Sequence, residues 1–258
     1  MTQAHDGPED DKPMPLLDHL IELRKRLIYA LISFMAVFFI TFYFAKPIFS
    51  FLIQPALRDG YKLQVLDIFE FFFVTVKLSA FLSLIVGFPL IATQIWLFVA
   101  PGLYRREKRA FLPFLIATPF MFYAGCVVMY YVVMPYVINF MLTQYAPPDI
   151  EKNLRASDYL DRVLQLVFAF GFAFEMPVLL TLMVRVGIIS TASLRAKRRY
   201  AIVVCFIVAA VLAPPDVISQ IALAVPLLAF YEISILIGSW IEKKRDEEDK
   251  KAEEAAGS

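Results

Sequence analysis

Six apolar stretches bounded by charge organise this chain, at residues 27–45, 74–100, 111–133, 164–184, 200–213 and 217–238. The stretches are continuous rather than alternating, so they predict helices and not barrel strands. A helix needs about 20 apolar residues to cross a hydrocarbon core of about 30 Å. The pattern therefore predicts an all-α integral membrane protein with six transmembrane helices. The last two crossings are short. Residues 200–213 reach about 21 Å, and the uncharged part of the sixth, 217–231, about 22 Å, at 1.5 Å per residue. Such a mismatch predicts local thinning of the bilayer or tilt of neighbouring helices, with snorkelling by Arg198, Arg199 and Glu232 as the simpler account.

Ahead of the first stretch, Leu16, Leu20, Leu23 and Leu27 share one helical stripe, and Asp18, Glu22 and Lys25 another. Pro15 suits a first helical turn. This predicts an amphipathic segment feeding into span one. Three segments follow: a cytoplasmic N-terminal part, 1–26; a membrane domain, 27–238; and a charged tail, 239–258, expected to be disordered.

Lys and Arg set the orientation. Loops on the side of both termini carry 18 of them and the opposite loops 6, which predicts both termini in the cytoplasm. The two long far-side loops look structured. Ser157 is a candidate N-cap for span four and Asp216 for span six. Lys77, inside span two, is expected to pair with Asp67 or Glu70.

Composition agrees: 60% of the residues are hydrophobic and Phe alone contributes 25. The basic residues are spread over short loops, so nucleic acid is not an expected partner. The N-terminal residues resemble neither a secretory signal nor a transit peptide, so the first apolar stretch is expected to be retained as a span. Cys126 and Cys205 lie inside apolar stretches without metal-ligand spacing and read as core residues. No metal or cofactor is expected.

Candidate chemistry lies in two basic segments that each hold one acid, HLIELRKR from His19 and LYRREKR from Leu103. A carboxylate at a membrane surface suits a guanidinium, whose planar fork it can accept bidentately. Glu22 and Glu107 could thus receive two adjacent arginines. The plainer reading makes these ordinary positive-inside loops. Glu175, in the middle of span four with Pro177 two residues on, predicts a polar, kinked notch.

The strings HLIELRKRL from His19, QIWLFVAPGLY from Gln94, FGFAFEMP from Phe170, KRRY from Lys197 and PPDVISQ from Pro214 together resemble the TatC family of twin-arginine protein translocase subunits. The resemblance implies a concave, glove-like arrangement of the six helices. It implies a receptor for twin-arginine signal peptides of folded cargo, driven by the proton-motive force. The implied partners are single-span TatA-type and TatB-type subunits, further copies of the chain and the lipid bilayer. Carried over, Glu22 and Glu107 bind the signal, with Arg24, Phe98, Leu103 and Tyr104 around them. Glu175 is the intramembrane acid. Pro55 and Asp216 belong to the far-side cap, and Gln220 to a partner contact. Where the family often has Thr before the Pro-Pro-Asp turn, this chain has Ala213.

Two other classes fit the sequence less well. A proton-coupled secondary transporter could use Glu175 and Glu232 as a relay, but the halves show no inverted pair of interrupted helices. An intramembrane enzyme lacks support, since His5 and His19 lie outside the spans and neither H-E-x-x-H nor G-x-S-x-G occurs.

Overall fold

In the computed structural model the described residues are 16–58, 61–99, 108–144, 153–212 and 217–256. Helix α1 (Leu16–Tyr43) is continuous, so the amphipathic segment and the first span form one rod. At its far end the chain turns through α2 (Ala45–Leu52), α3 (Gln54–Arg58) and strand β1 (Lys62–Gln64). Helices α4 (Glu70–Val86) and α5 (Phe88–Val99) bring it back. Helix α6 (Lys108–Val128) crosses again, continuing through a π-helical turn (Met129–Val133) into α7 (Met134–Gln144). Strand β2 (Asn153–Arg155) leads into α8 (Ala156–Phe174) and α9 (Met176–Arg185). The last elements are α10 (Thr191–Ala196), α11 (Arg198–Leu212) and α12 (Val217–Ala256).

Among the described residues, four helical segments are long and apolar enough to cross a membrane, or five if the bent pair α4–α5 counts as one. With 15 residues, or about 22 Å, α11 falls below that length. The second apolar stretch is not one straight helix. It bends by 53° between Val86 and Phe88. Pro89 cannot donate an N–H to the preceding turn, and its ring crowds the carbonyl four residues back. Gly87 sits at the bend, where a Cβ would lie 2.5 Å from the Ser83 carbonyl oxygen.

The third helical segment runs past the expected boundary at residue 133 and takes in Pro135. The π-helical turn explains this, because its wider winding releases the carbonyl that the Pro135 ring would strike. The fourth begins at Ala156, before the expected residue 164, and is interrupted at Glu175 ahead of Pro177, as the notch predicts. The tail is also corrected: α12 stays helical through Ala256. Glu, Lys and Ala favour helix, and Lys243–Glu247 and Glu247–Lys251 have the i,i+4 spacing of supporting pairs.

Packing centres on α8, which meets α4, α6 and α12, while α9 lies along α12. Leu160, Leu164, Phe170 and Leu223 are fully buried there. Among the described residues, helix α1 packs chiefly on α4, α5 and, at its end, α2. Within its apolar window 6% of residues are buried, so lipid or a partner must cover the rest. A polar clasp joins α1 to α4. The Thr41 hydroxyl lies 3.0 Å from both the Ser79 carbonyl and the Ser83 hydroxyl, all buried. In an apolar surround such a bond holds helices in register.

The far-side loops are tied together. β1 and β2 pair in parallel, Lys62 opposite Asn153 and Gln64 opposite Arg155. Glu70, 5% exposed, is the hub. Its carboxylate accepts from the backbone N–H of Leu66 at 2.7 Å, from Arg155 Nε at 3.1 Å and from the Ser157 N–H at 3.2 Å. Ser157 is therefore not the cap of α8, which Arg155 occupies; the Glu70 carboxylate fills that role from across the loop. Glu70 stands ahead of the apolar run that starts at Val74, and the Leu66 N–H in particular holds its carboxyl down at about 2. Lys77 pairs with neither Asp67 nor Glu70. Its ammonium donates to both Asp161 oxygens, at 2.7 and 2.8 Å, because α4 and α8 lie side by side.

Candidate functional site

At the near end of the bundle the start of α1 meets the end of α5. The His19 ring stacks on Phe98 with centroids 4.4 Å apart and planes inclined by 20°. One turn along α1, Glu22 is half-buried and accepts from Arg26 at 3.3 Å, an i,i+4 pair. Arg26 Nε is buried without a hydrogen-bond partner. Arg24 is exposed on the same helix. One turn inward from Phe98, Gln94 Oε1 is likewise buried and unpartnered. The structure thus puts Glu22 one turn from the His19–Phe98 contact, while Arg24, two positions on, stands on another face of α1. Leu103, Tyr104 and Glu107 lie outside the described residues.

Deeper in the bundle a second polar group forms across three elements. Trp96 Nε1 donates to the Thr118 hydroxyl at 3.2 Å. Thr118 and the Phe122 backbone lie against the carboxyl of Glu175, which is 6% exposed and whose Oε1 has no hydrogen-bond partner. Its floor is aromatic: Phe88 stacks on Phe122 at 3.8 Å. A carboxyl so placed is costly unless protonated or supplied with a donor.

Among the far-side positions, Pro55 stands in the first turn of α3, where its missing N–H costs nothing. Asp216 and Ala213 lie outside the described residues. Gln220 donates from Nε2 to the Phe206 carbonyl at 3.3 Å, tying α12 to α11. Glu232 pairs with Arg198 at 2.8 Å.

Sequence reasoning missed four members of these groups. His19 and Arg26 stood inside the quoted basic segment, yet only the fold shows that His19 reaches Phe98 and that Arg26 folds back on Glu22. Trp96 and Thr118 look like ordinary span residues. A hydroxyl amid apolar neighbours was the available hint, without an indication that it meets an acid 57 positions away.

Comparison with known proteins identifies the family. The family model described as "Sec-independent protein translocase protein (TatC)" matches residues 18–226. A protein of that name from Magnetococcus marinus is 42% identical over 248 residues, 95% of this chain and 91% of the relative. One from Azotobacter chroococcum is 39% identical, covering 93% and 94%. One from Escherichia coli O6:H1 is 38% identical, covering 91% and 92%. A crystal structure of the twin-arginine translocase receptor TatC superposes with a TM-score of 0.78 at 39% identity, over 87% of this chain and 99% of that one. The chain belongs to the TatC family, the non-enzymatic, multi-pass core subunits of the Sec-independent protein translocase.

Proposed function

We propose that Glu22 and Glu107 receive the paired arginines of a signal peptide at the cytoplasmic face. Phe98, Tyr104 and Leu103 form the floor of that site, and Arg24 borders it. The observation that carries this reading is the Glu22–Arg26 pair: the carboxylate already accepts a guanidinium, at 3.3 Å, beside the His19–Phe98 stack. An i,i+4 pair on a helix surface contributes only about 0.3–0.5 kcal/mol. A charge-assisted bond to an incoming arginine contributes about 1.5–3 kcal/mol. Cargo therefore displaces Arg26 at small cost.

The chain crosses the membrane six times, α11 being a short crossing, in a concave, glove-like arrangement with both termini in the cytoplasm. Residues 1–26 form the receptor segment, 27–238 the membrane domain and 239–258 a cytoplasmic extension. The apolar part of the signal peptide lies along the concave face, toward Glu175. Pro55 and Asp216 shape the far-side cap. Gln220 and the exposed α11 face are where single-span TatA-type and TatB-type subunits dock, several copies of the chain assembling in one complex of the bacterial inner membrane. Tyr200, Ile207 and Val211 leave α11 largely uncovered, which supports that assignment. Family membership removes the transporter alternative.

Photocrosslinking from position 103 tests the receptor site. A twin-arginine precursor should crosslink and its Lys-Lys variant should not. Equal crosslinking of both would reject the guanidinium–carboxylate reading.

A further inference from the structure

A groove of about 530 Å³ opens at the far end between α7, α8 and the β1–β2 pair, away from the receptor patch. Its walls are apolar: Met134 and Ile138 from α7, Leu154 from β2, and Val163 and Leu166 from α8. Its rim is charged. Along α8, Asp158 and Arg162 stand one turn apart, both exposed and both lining the groove.

The pair has the spacing at which a carboxylate and a guanidinium on a helix usually meet. Here they form no ion pair with each other or with any described residue. Arg155, also on the rim, is engaged by Glu70 at 3.1 Å. The groove thus offers one free cation and one free anion side by side, above an apolar trough. From Asp158 to Leu166 the trough runs about 12 Å along the helix axis, from the aqueous end toward the bilayer centre.

We propose that this groove binds a zwitterionic phospholipid of the surrounding bilayer, with its phosphate on Arg162 and its ammonium on Asp158. One acyl chain lies along Val163, Leu166 and Ile138. The order of the groove, charge at the rim and hydrocarbon inward, is that of a lipid in its own leaflet. An anionic headgroup without an amine would satisfy Arg162 but leave Asp158 facing a like charge. A polypeptide strand would gain little along α7 and α8, whose backbone groups are used within the helices, and would leave its own unpaired. A bound lipid fills the wedge between two membrane segments and holds the far-side cap on the bundle.

The test is native mass spectrometry of the full chain in detergent, titrated with phosphatidylethanolamine, phosphatidylglycerol and diacylglycerol of the same acyl chains. Phosphatidylethanolamine should be retained best. Arg162→Ala should weaken its retention about tenfold, the loss of one charge-assisted contact. Arg162→Lys should restore most of it, which separates binding from misfolding. Asp158→Asn should abolish the preference for phosphatidylethanolamine over phosphatidylglycerol. Ile138→Trp, filling the trough at a partly exposed position, should displace both. The proposal fails if Arg162→Ala retains lipid like the parent or if Asp158→Asn keeps the parent's preference for phosphatidylethanolamine. It also fails if diacylglycerol or phosphatidylglycerol binds as well as phosphatidylethanolamine to the parent, or if a photocrosslinker at position 138 captures polypeptide instead of lipid.

Discussion

Glu22 and Arg26 compete for one another before any cargo arrives, and the contest has a measurable outcome. On the proposed receptor reading, replacing Glu22 by Gln removes the charge that receives a signal guanidinium. Affinity for a twin-arginine peptide should fall about tenfold or more, read by fluorescence anisotropy on inserted protein. Replacing Arg26 by Gln frees Glu22 and should raise affinity about twofold, the equivalent of a surface i,i+4 pair. An unchanged affinity in both variants would place the guanidinium elsewhere. At Gly125 the constraint is steric. A Cβ there would lie 2.5 Å from the Phe170 carbonyl oxygen, where α6 crosses α8. Gly125→Ala should destabilise the bundle by about 1–3 kcal/mol, seen as a lower midpoint in thermal unfolding in detergent. Single residues of this kind were legible in unequal measure. Glu175 stood out because charge is rare within apolar stretches, and Glu22 because it is the single acid of a basic segment. Gly125 and Arg26 did not, since their roles depend on which helix or side chain lies opposite.

At the level of elements, apolar pattern located the helices and missed how they are interrupted. Pro177 announced the break at Glu175. The bend at Gly87 was equally encoded, as a Gly followed two residues later by Pro, but it lay inside a run long enough to pass for one crossing. Pro135 misled in the opposite direction, as a π-helical turn carried the helix through it. The two loops joined through Glu70 were unreadable because the partners, Leu66, Arg155 and Ser157, come from two separate segments. That hub has a pH signature. The Glu70 carboxyl falls from 4.5 to about 2 on folding, so its contribution to stability is complete above 4.5 and fades as pH drops toward 2. Spin labels at Ile68 and Asp158 should give a narrow distance distribution at neutral pH that broadens over this window. Glu70→Ala should be broad throughout. A distribution indifferent to both would show that the strands alone hold the cap.

Across the whole molecule, α8 is enclosed while α1 and α11 present apolar flanks outward. The proposed docking of a signal peptide and of single-span partners needs such flanks, and these two helices have them. The proposed crossing by α11 adds a second demand, since about 22 Å of helix would meet a core of about 30 Å. A spin-label depth profile along α11 should show phosphate-level depth reached within its length at both ends. Ordinary depth, with the ends still inside the hydrocarbon, would mean that the bilayer is not thinned there.

Helix α12 is the longest element, 40 residues or about 60 Å of axis, against a core of about 30 Å. Roughly half of it stands clear of the bilayer as a post. Under the receptor proposal, which puts the end of α12 on the same side as Glu22, a folded cargo meets there a rod rather than a slack tether. Shortening the rod would let bulkier domains approach, and stiffening it would favour those attached by longer linkers. The spacing between signal motif and folded domain in its substrates should therefore follow the length of this helix.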